Sequence, residues 1–201
     1  MKRILFSVYS ILIATFAFAQ SATQVLDKAI AVFNNSQGIT ADYVITAGQG
    51  SSAGKIDMCG NKFRIVSDDM ICWYDGTSQW TYSTISDEVS VTTPTLEEMQ
   101  MSNPYIAITT LKKTCHIYKA YTQIEGFYTL KLVPKDDQSI KQILVYLENN
   151  TYNVSKVYFE MMDGNNYRTV ISNYKTTRLS DGIFNYDKTM VPAGTEVVDL
   201  R

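Results

Sequence analysis

Three cysteines and one histidine are the side chains of this sequence best suited to nucleophilic or metal chemistry, and their spacing argues against both. Cys59, Cys72 and Cys115 contain no C-x-x-C pair, so the usual zinc-ligand pattern is missing. His116 follows Cys115 directly in a stretch that reads as strand, which sends the two side chains to opposite faces. A nucleophile and its base must converge on one substrate, and adjacent strand residues do not. There is no G-x-S-x-G, no phosphate-binding loop and no glycine-rich cradle. Asp68-Asp69 and Asp136-Asp137 are neighbouring acids in turns, where acids ordinarily serve as solvated punctuation. The expectation is a protein without catalytic residues, metal or cofactor.

The odd number of cysteines leaves at least one thiol unpaired within the chain. In a simple meander Cys59 and Cys72 fall on alternate strands, about 9–10 Å apart, beyond the reach of a disulfide. Free or buried thiols are expected.

What the chain has in quantity is adaptable apolar surface: 14 Tyr, 8 Phe and 8 Met. In "YDGTSQWTY" Asp75-Gly76 makes a tight turn, and Trp80 and Tyr82, two apart, share one strand face. Rings of this size either fill a core or line a cavity for something apolar. Methionines suit a site that accepts varied apolar shapes.

The compartment is read from the start of the chain. A basic "MKR", an apolar "ILFSVYSILIATF" and small residues at Ala17 and Ala19 have the pattern of a secretory signal peptide, residues 1–19, cleaved after Ala19. The apolar run is short for a bilayer span. No cysteine follows it to carry a lipid. Cleavage would remove Lys2 and Arg3, leaving 16 basic residues against 20 acidic ones, with no basic cluster for nucleic acid. Residues 20–201 suit one domain.

The elements that must position the rings follow from periodicity. In "SATQVLDKAIAVFNNSQG", Val25, Leu26, Ala29, Ile30 and Phe33 form the apolar stripe of a helix, capped by Ser21 or Thr23. Strands are expected near 40–48, 53–59, 62–67, 70–74, 78–84 and 87–92, then 115–121, 126–133, 140–147, 153–162 and 166–175. Between the two sets, Thr95 to Glu98 is a capping box that opens a short helix, and a second helical turn covers Tyr105 to Leu111. The tail after 180 is less regular. About eleven consecutive antiparallel strands curl into a barrel or half-barrel, with the helices available to plug it.

With these elements in place, the chain resembles the LolA family of periplasmic outer-membrane lipoprotein carriers. The resemblance rests on Asp75, Gly76, Trp80 and Tyr82, on "GKIDMCGNKF", on Leu132, Pro134, Lys135, Lys141 and Gln142, and on Phe184, Tyr186, Pro192 and Gly194, in order along the chain. It implies a mainly β (α+β) fold, a single unclosed antiparallel barrel with an N-terminal helix and a helical lid. It implies a periplasmic carrier that takes acylated outer-membrane lipoproteins from an inner-membrane ABC transporter (LolCDE-like) and passes them to an outer-membrane acceptor (LolB-like), with no nucleic acid among its partners. A monomer is expected. The sequence departs from the family at Met58-Cys59-Gly60-Asn61-Lys62, where members often have Arg-Pro, so the lid-locking contact made by that arginine is not carried over.

The expected cavity wall is Ile56, Met58, Phe63, Ile65, Trp80, Tyr82, Leu130 and Leu132, under a lid of Phe33, Met99, Met101, Ile106 and Leu111. Trp80 fluorescence should then respond when a lipid enters. The alternatives are a lipid sensor of the RseB type and a general lipid or glycolipid carrier, both needing the same apolar cavity.

Overall fold

The computed structural model describes residues 20–95, 98–99 and 104–201. The first helix, α1 (Ala22–Asn35), begins where Ser21 accepts a hydrogen bond from the Gln24 backbone and the Gln24 side chain accepts one from Ser21. This reciprocal box satisfies two donors that a helix start would otherwise leave unpaired. Six strands follow in a meander: β1 (Ile39–Ala47), β2 (Gly50–Cys59), β3 (Lys62–Ser67), β4 (Met70–Tyr74), β5 (Gln79–Ser83) and β6 (Glu88–Thr92). The Asp75-Gly76 turn is closed by the Asp75 carboxylate, which accepts from the backbone of Thr77 and Ser78.

The capping box between the two strand sets is present: Glu98 accepts from the Thr95 backbone at 2.7 Å, and Thr95 accepts from the Glu98 backbone at 3.3 Å. A second helix, α2 (Pro104–Thr114), leads into the other meander. Its strands are β7 (Cys115–Lys119), β8 (Phe127–Pro134), β9 (Ile140–Glu148), β10 (Val154–Met161) and β11 (Asn166–Thr176).

The two meanders join through β1 and β11, which pair antiparallel from Ile39↔Thr176 to Ala47↔Tyr167. One twelve-stranded sheet results, with β7 at one edge and a short β12 (Glu196–Asp199) at the other, so it does not close on itself. Two details differ from the sequence reading. There is a twelfth strand, and it runs parallel to β6. Its four residues lie in the tail that carried no clear alternation, and pairing with a distant strand, which no local pattern encodes, makes it a strand.

Both helices cover one face of the sheet, here the inner face. Beneath α1 and α2 lies the main core, drawn from β1–β4 and β7–β11. The outer face of β3–β6 is crossed instead by the segment after β11, a strap with 3-10 turns at Asp181–Phe184 and Lys188–Met190. The strap is tied by Thr177 N–H to Gly38 C=O, by the Lys62–Asp181 ion pair at 3.1 Å and by Leu200 N–H to Val91 C=O. Gly38 sits at φ 150°, and a Cβ there would come within 2.5 Å of the Leu179 side chain, so only glycine lets the strap pass so close.

Candidate functional site

Strand alternation and register decide which expected residues meet. On the inner face Ile56 and Met58 of β2 pair with Ile65 and Phe63 of β3, and Leu130 and Leu132 of β8 lie opposite Val145 and Ile143 of β9. All of these are buried in the main core, with Phe33 of α1. Leu111 of α2 and Met99 pack against that core while remaining partly accessible. Ile106 is half-buried on α2. Met101 lies outside the described residues.

Trp80 and Tyr82 do not join this group. They pair with Trp73 and Ile71 of β4 and with Val91 and Val89 of β6, and form a second cluster on the outer face with Tyr186, Met190 and Val191 of the strap. Trp73 is fully buried and meets the Tyr186 ring edge-on, centroids 5.5 Å apart. The separate placement has a simple cause. Spacing of two shows that Trp80 and Tyr82 share a face, and the segment that covers it arrives from about a hundred residues downstream. The aromatic tail, Phe184 and Tyr186, was the available signal.

Sequence reasoning missed several inner-face residues. Ile143, Val145 and Leu147 come from a strand apolar on both sides, as do Cys72 and Tyr74. Tyr74 packs its ring on Phe63 at 5.4 Å. Ile108 of α2 is buried beside them.

Part of the inner face reaches the surface. Between the end of α1 and the β2–β3 turn is a cleft of about 380 Å³ lined by Phe33, Asn34, Ser36, Met58, Gly60 and Asn61. It brings one expected lid residue and one expected wall residue to the same opening, at the turn that departs from the family pattern. At the far end of the strands, Ile45 and Tyr167 are each more than two-fifths exposed.

Burial pushes the Cys72 thiol up to about 11 and raises that of Cys115. All three cysteines are free, and His116 is exposed while its neighbour Cys115 is buried. Among the described residues no group of three or more His, Cys, Asp or Glu could hold a metal. No described helix is long and apolar enough to cross a membrane. On the outer face Arg64 donates two hydrogen bonds to Asp57, at 3.0 and 2.7 Å, and Thr40 donates a third to the same carboxylate. That pairing neutralises the buried charge of Asp57.

A family model described as outer membrane lipoprotein carrier protein LolA matches residues 13–165. No curated protein matches. Among solved structures the chain is similar to an uncharacterized conserved protein from Thermus thermophilus, at 13% identity and a TM-score of 0.58, covering 89% of this chain and 98% of that one. It is also similar to a LolA superfamily protein from Nitrosomonas europaea (14% identity, TM-score 0.45, 83% and 98% covered). A third similar structure is the Mycobacterium tuberculosis lipoprotein LppX (11% identity, TM-score 0.49, 79% and 97% covered).

Proposed function

From the premise that the chain belongs to the LolA family, we propose that it is a periplasmic carrier that shields lipoprotein acyl chains and moves lipoproteins from the inner to the outer membrane. The observation that carries this reading is the family match together with an apolar inner face under two helices, one of which leaves Leu111 only partly buried. Such helices can be exchanged for another apolar body without unfolding the sheet.

In this mechanism the empty protein keeps α1, α2 and the Met99 turn packed on Ile56, Met58, Phe63, Ile65, Leu130 and Leu132. Cargo enters beside Phe33 and replaces lid contacts with acyl contacts. Each methylene removed from water contributes about 0.8 kcal/mol, so a few chains offset the lost lid packing. Release needs only an acceptor with greater affinity, and no nucleotide at the carrier. The donor is an inner-membrane ABC transporter of the LolCDE type and the acceptor is LolB-like. The carrier acts as a monomer, exported by residues 1–19 with cleavage after Ala19.

Native mass spectrometry of the protein taken from its own envelope tests the reading. The expected spectrum shows a chain starting at Gln20, part of it in complex with acylated lipoprotein. A protein recovered without any acylated cargo, and unable to bind an apolar fluorophore, would overturn the carrier role. A mass that includes Met1 would overturn the export reading.

A further inference from the structure

The inner face is not apolar throughout. On β5 the residues that pair with Tyr74, Cys72 and Met70 are Gln79, Thr81 and Ser83, and beyond them β6 contributes Thr92, Ser90 and Glu88. These six are half-buried, and they lie beside the main core through Cys72 and Tyr74. A polar stripe two strands wide therefore flanks the apolar floor, at the cross-strand spacing of about 5 Å.

Part of the stripe is hydrogen-bonded to itself. The Gln79 amide donates to Thr81 Oγ1 at 3.2 Å, Thr81 Oγ1 donates to the Cys72 thiol at 3.6 Å, and Ser90 Oγ donates to the Thr81 carbonyl at 3.4 Å. The remaining amide atom, Gln79 Oε1, is closed off from solvent and has no hydrogen-bond partner among the described residues. Buried polar atoms of folded proteins nearly always have one, and an orphan calls for a reason. A second polar group arriving when the inner face opens would supply it.

The charges around the stripe restrict what that group can be. No Lys or Arg of β4–β6 faces it, because these strands contain none. Arg64 on β3 belongs to the outer face and is held by Asp57. Arg201 reaches Ser78 at the end of β5, but its guanidinium is paired with Asp199 at 2.6 Å. The acids around the stripe are Glu88 within it and Asp68, Asp69, Asp75 and Asp87 in the flanking turns. A phosphate or a free carboxylate would meet repulsion there and no unpaired cation. An uncharged head with hydroxyl, ester or amide groups would meet a donor and an acceptor on one side chain.

We propose that Gln79, Thr81 and Ser90 form a headgroup subsite that selects acyl ligands with an uncharged hydrogen-bonding head over those with an anionic one. This rests on the carrier reading for the acyl chain and adds the chemistry of what the chain is attached to. The apolar tail lies along β1–β4, and the head lies across β5 and β6.

The test is competition against an apolar fluorophore bound to the protein, with three ligands of one acyl chain: 1-monooleoylglycerol, oleic acid and 1-oleoyl lysophosphatidic acid. The glyceride is expected to displace the probe at about tenfold lower concentration than either anion, the difference that one satisfied or unsatisfied polar site makes. Gln79→Leu and Thr81→Val should shrink that ratio to about twofold, whereas Thr81→Ser, which keeps the hydroxyl, should restore it. Equal displacement by all three ligands in the wild-type protein overturns the subsite and leaves the carrier reading standing. A ratio that survives both Gln79→Leu and Thr81→Val also overturns it. Failure of the protein to bind the fluorophore or any of the three overturns both.

Discussion

β8 and β5 alternate apolar and polar residues in the same way and bury opposite faces of one sheet. In β8, Leu130 and Leu132 turn toward the helices. In β5, Trp80 and Tyr82 turn away from them, toward the strap. Between the two regions lies β4, which is apolar on both sides: Cys72 and Tyr74 belong to the helix side and Trp73 to the strap side. Alternation thus sets which residues travel together, and the covering segment sets which side becomes core. The switch has a chemical by-product. Once the strap claims the rings of β5 and the valines of β6, their polar strand neighbours are left on the inner face.

One substitution at the centre of each core separates the two regions most strongly. Trp73→Ala should cost about 3–5 kcal/mol and Leu132→Ala about 2–5 kcal/mol in denaturant unfolding, because both residues are fully buried. Only the second should also weaken binding of an apolar fluorophore. If Trp73→Ala weakened it equally, the two cores would be one functional unit. Asp57→Ala comes next. It would strip Arg64 and Thr40 of their shared acceptor on the outer face, and should cost about 1–3 kcal/mol by the same measurement, again without effect on probe binding.

Smaller effects sharpen the contrast. The two tryptophans, Trp73 and Trp80, are both in the outer cluster, so tryptophan emission should stay unchanged when a non-fluorescent lipid binds the inner face and should shift when the strap is loosened by Tyr186→Ala. This reverses the expectation drawn from the sequence. A lipid-induced shift in emission would mean that the two faces are coupled. The least effect is expected in thiol labelling. At pH 8 a maleimide should modify the partly accessible Cys59 first, while Cys72, buried and with its thiol raised to about 11, and Cys115 react only as the protein unfolds.

Much of this architecture was legible in the residues. Helix α1 follows from the Val25, Leu26, Ala29 and Phe33 stripe and its Ser21 cap, and eleven strands follow from alternation broken by turn residues. These signals are local: periodicity, capping and turn chemistry act over a few residues. Six of the eight expected wall residues lie together for the same reason, since alternation in β2, β3 and β8 points to a face that the helices cover. The two that do not, Trp80 and Tyr82, depended on a contact with the strap. The twelfth strand and the strap itself depended on partners roughly a hundred residues away, and "MICWY" and "ILVYL", apolar on both sides, gave alternation nothing to distinguish.

The β1–β11 seam has a consequence for the order of events as the chain folds. Ile39 finds its partner only when Thr176 is present, although β1 pairs with β2 across a turn of two residues. The first meander can form early, but its β1 edge stays a row of unpaired N–H and C=O groups until nearly the whole chain is in place. Non-local pairing of this kind slows folding far more than it alters final stability. The hazardous interval for this protein is therefore the wait before the seam zips, when two half-sheets with adhesive edges can find each other on the wrong molecule.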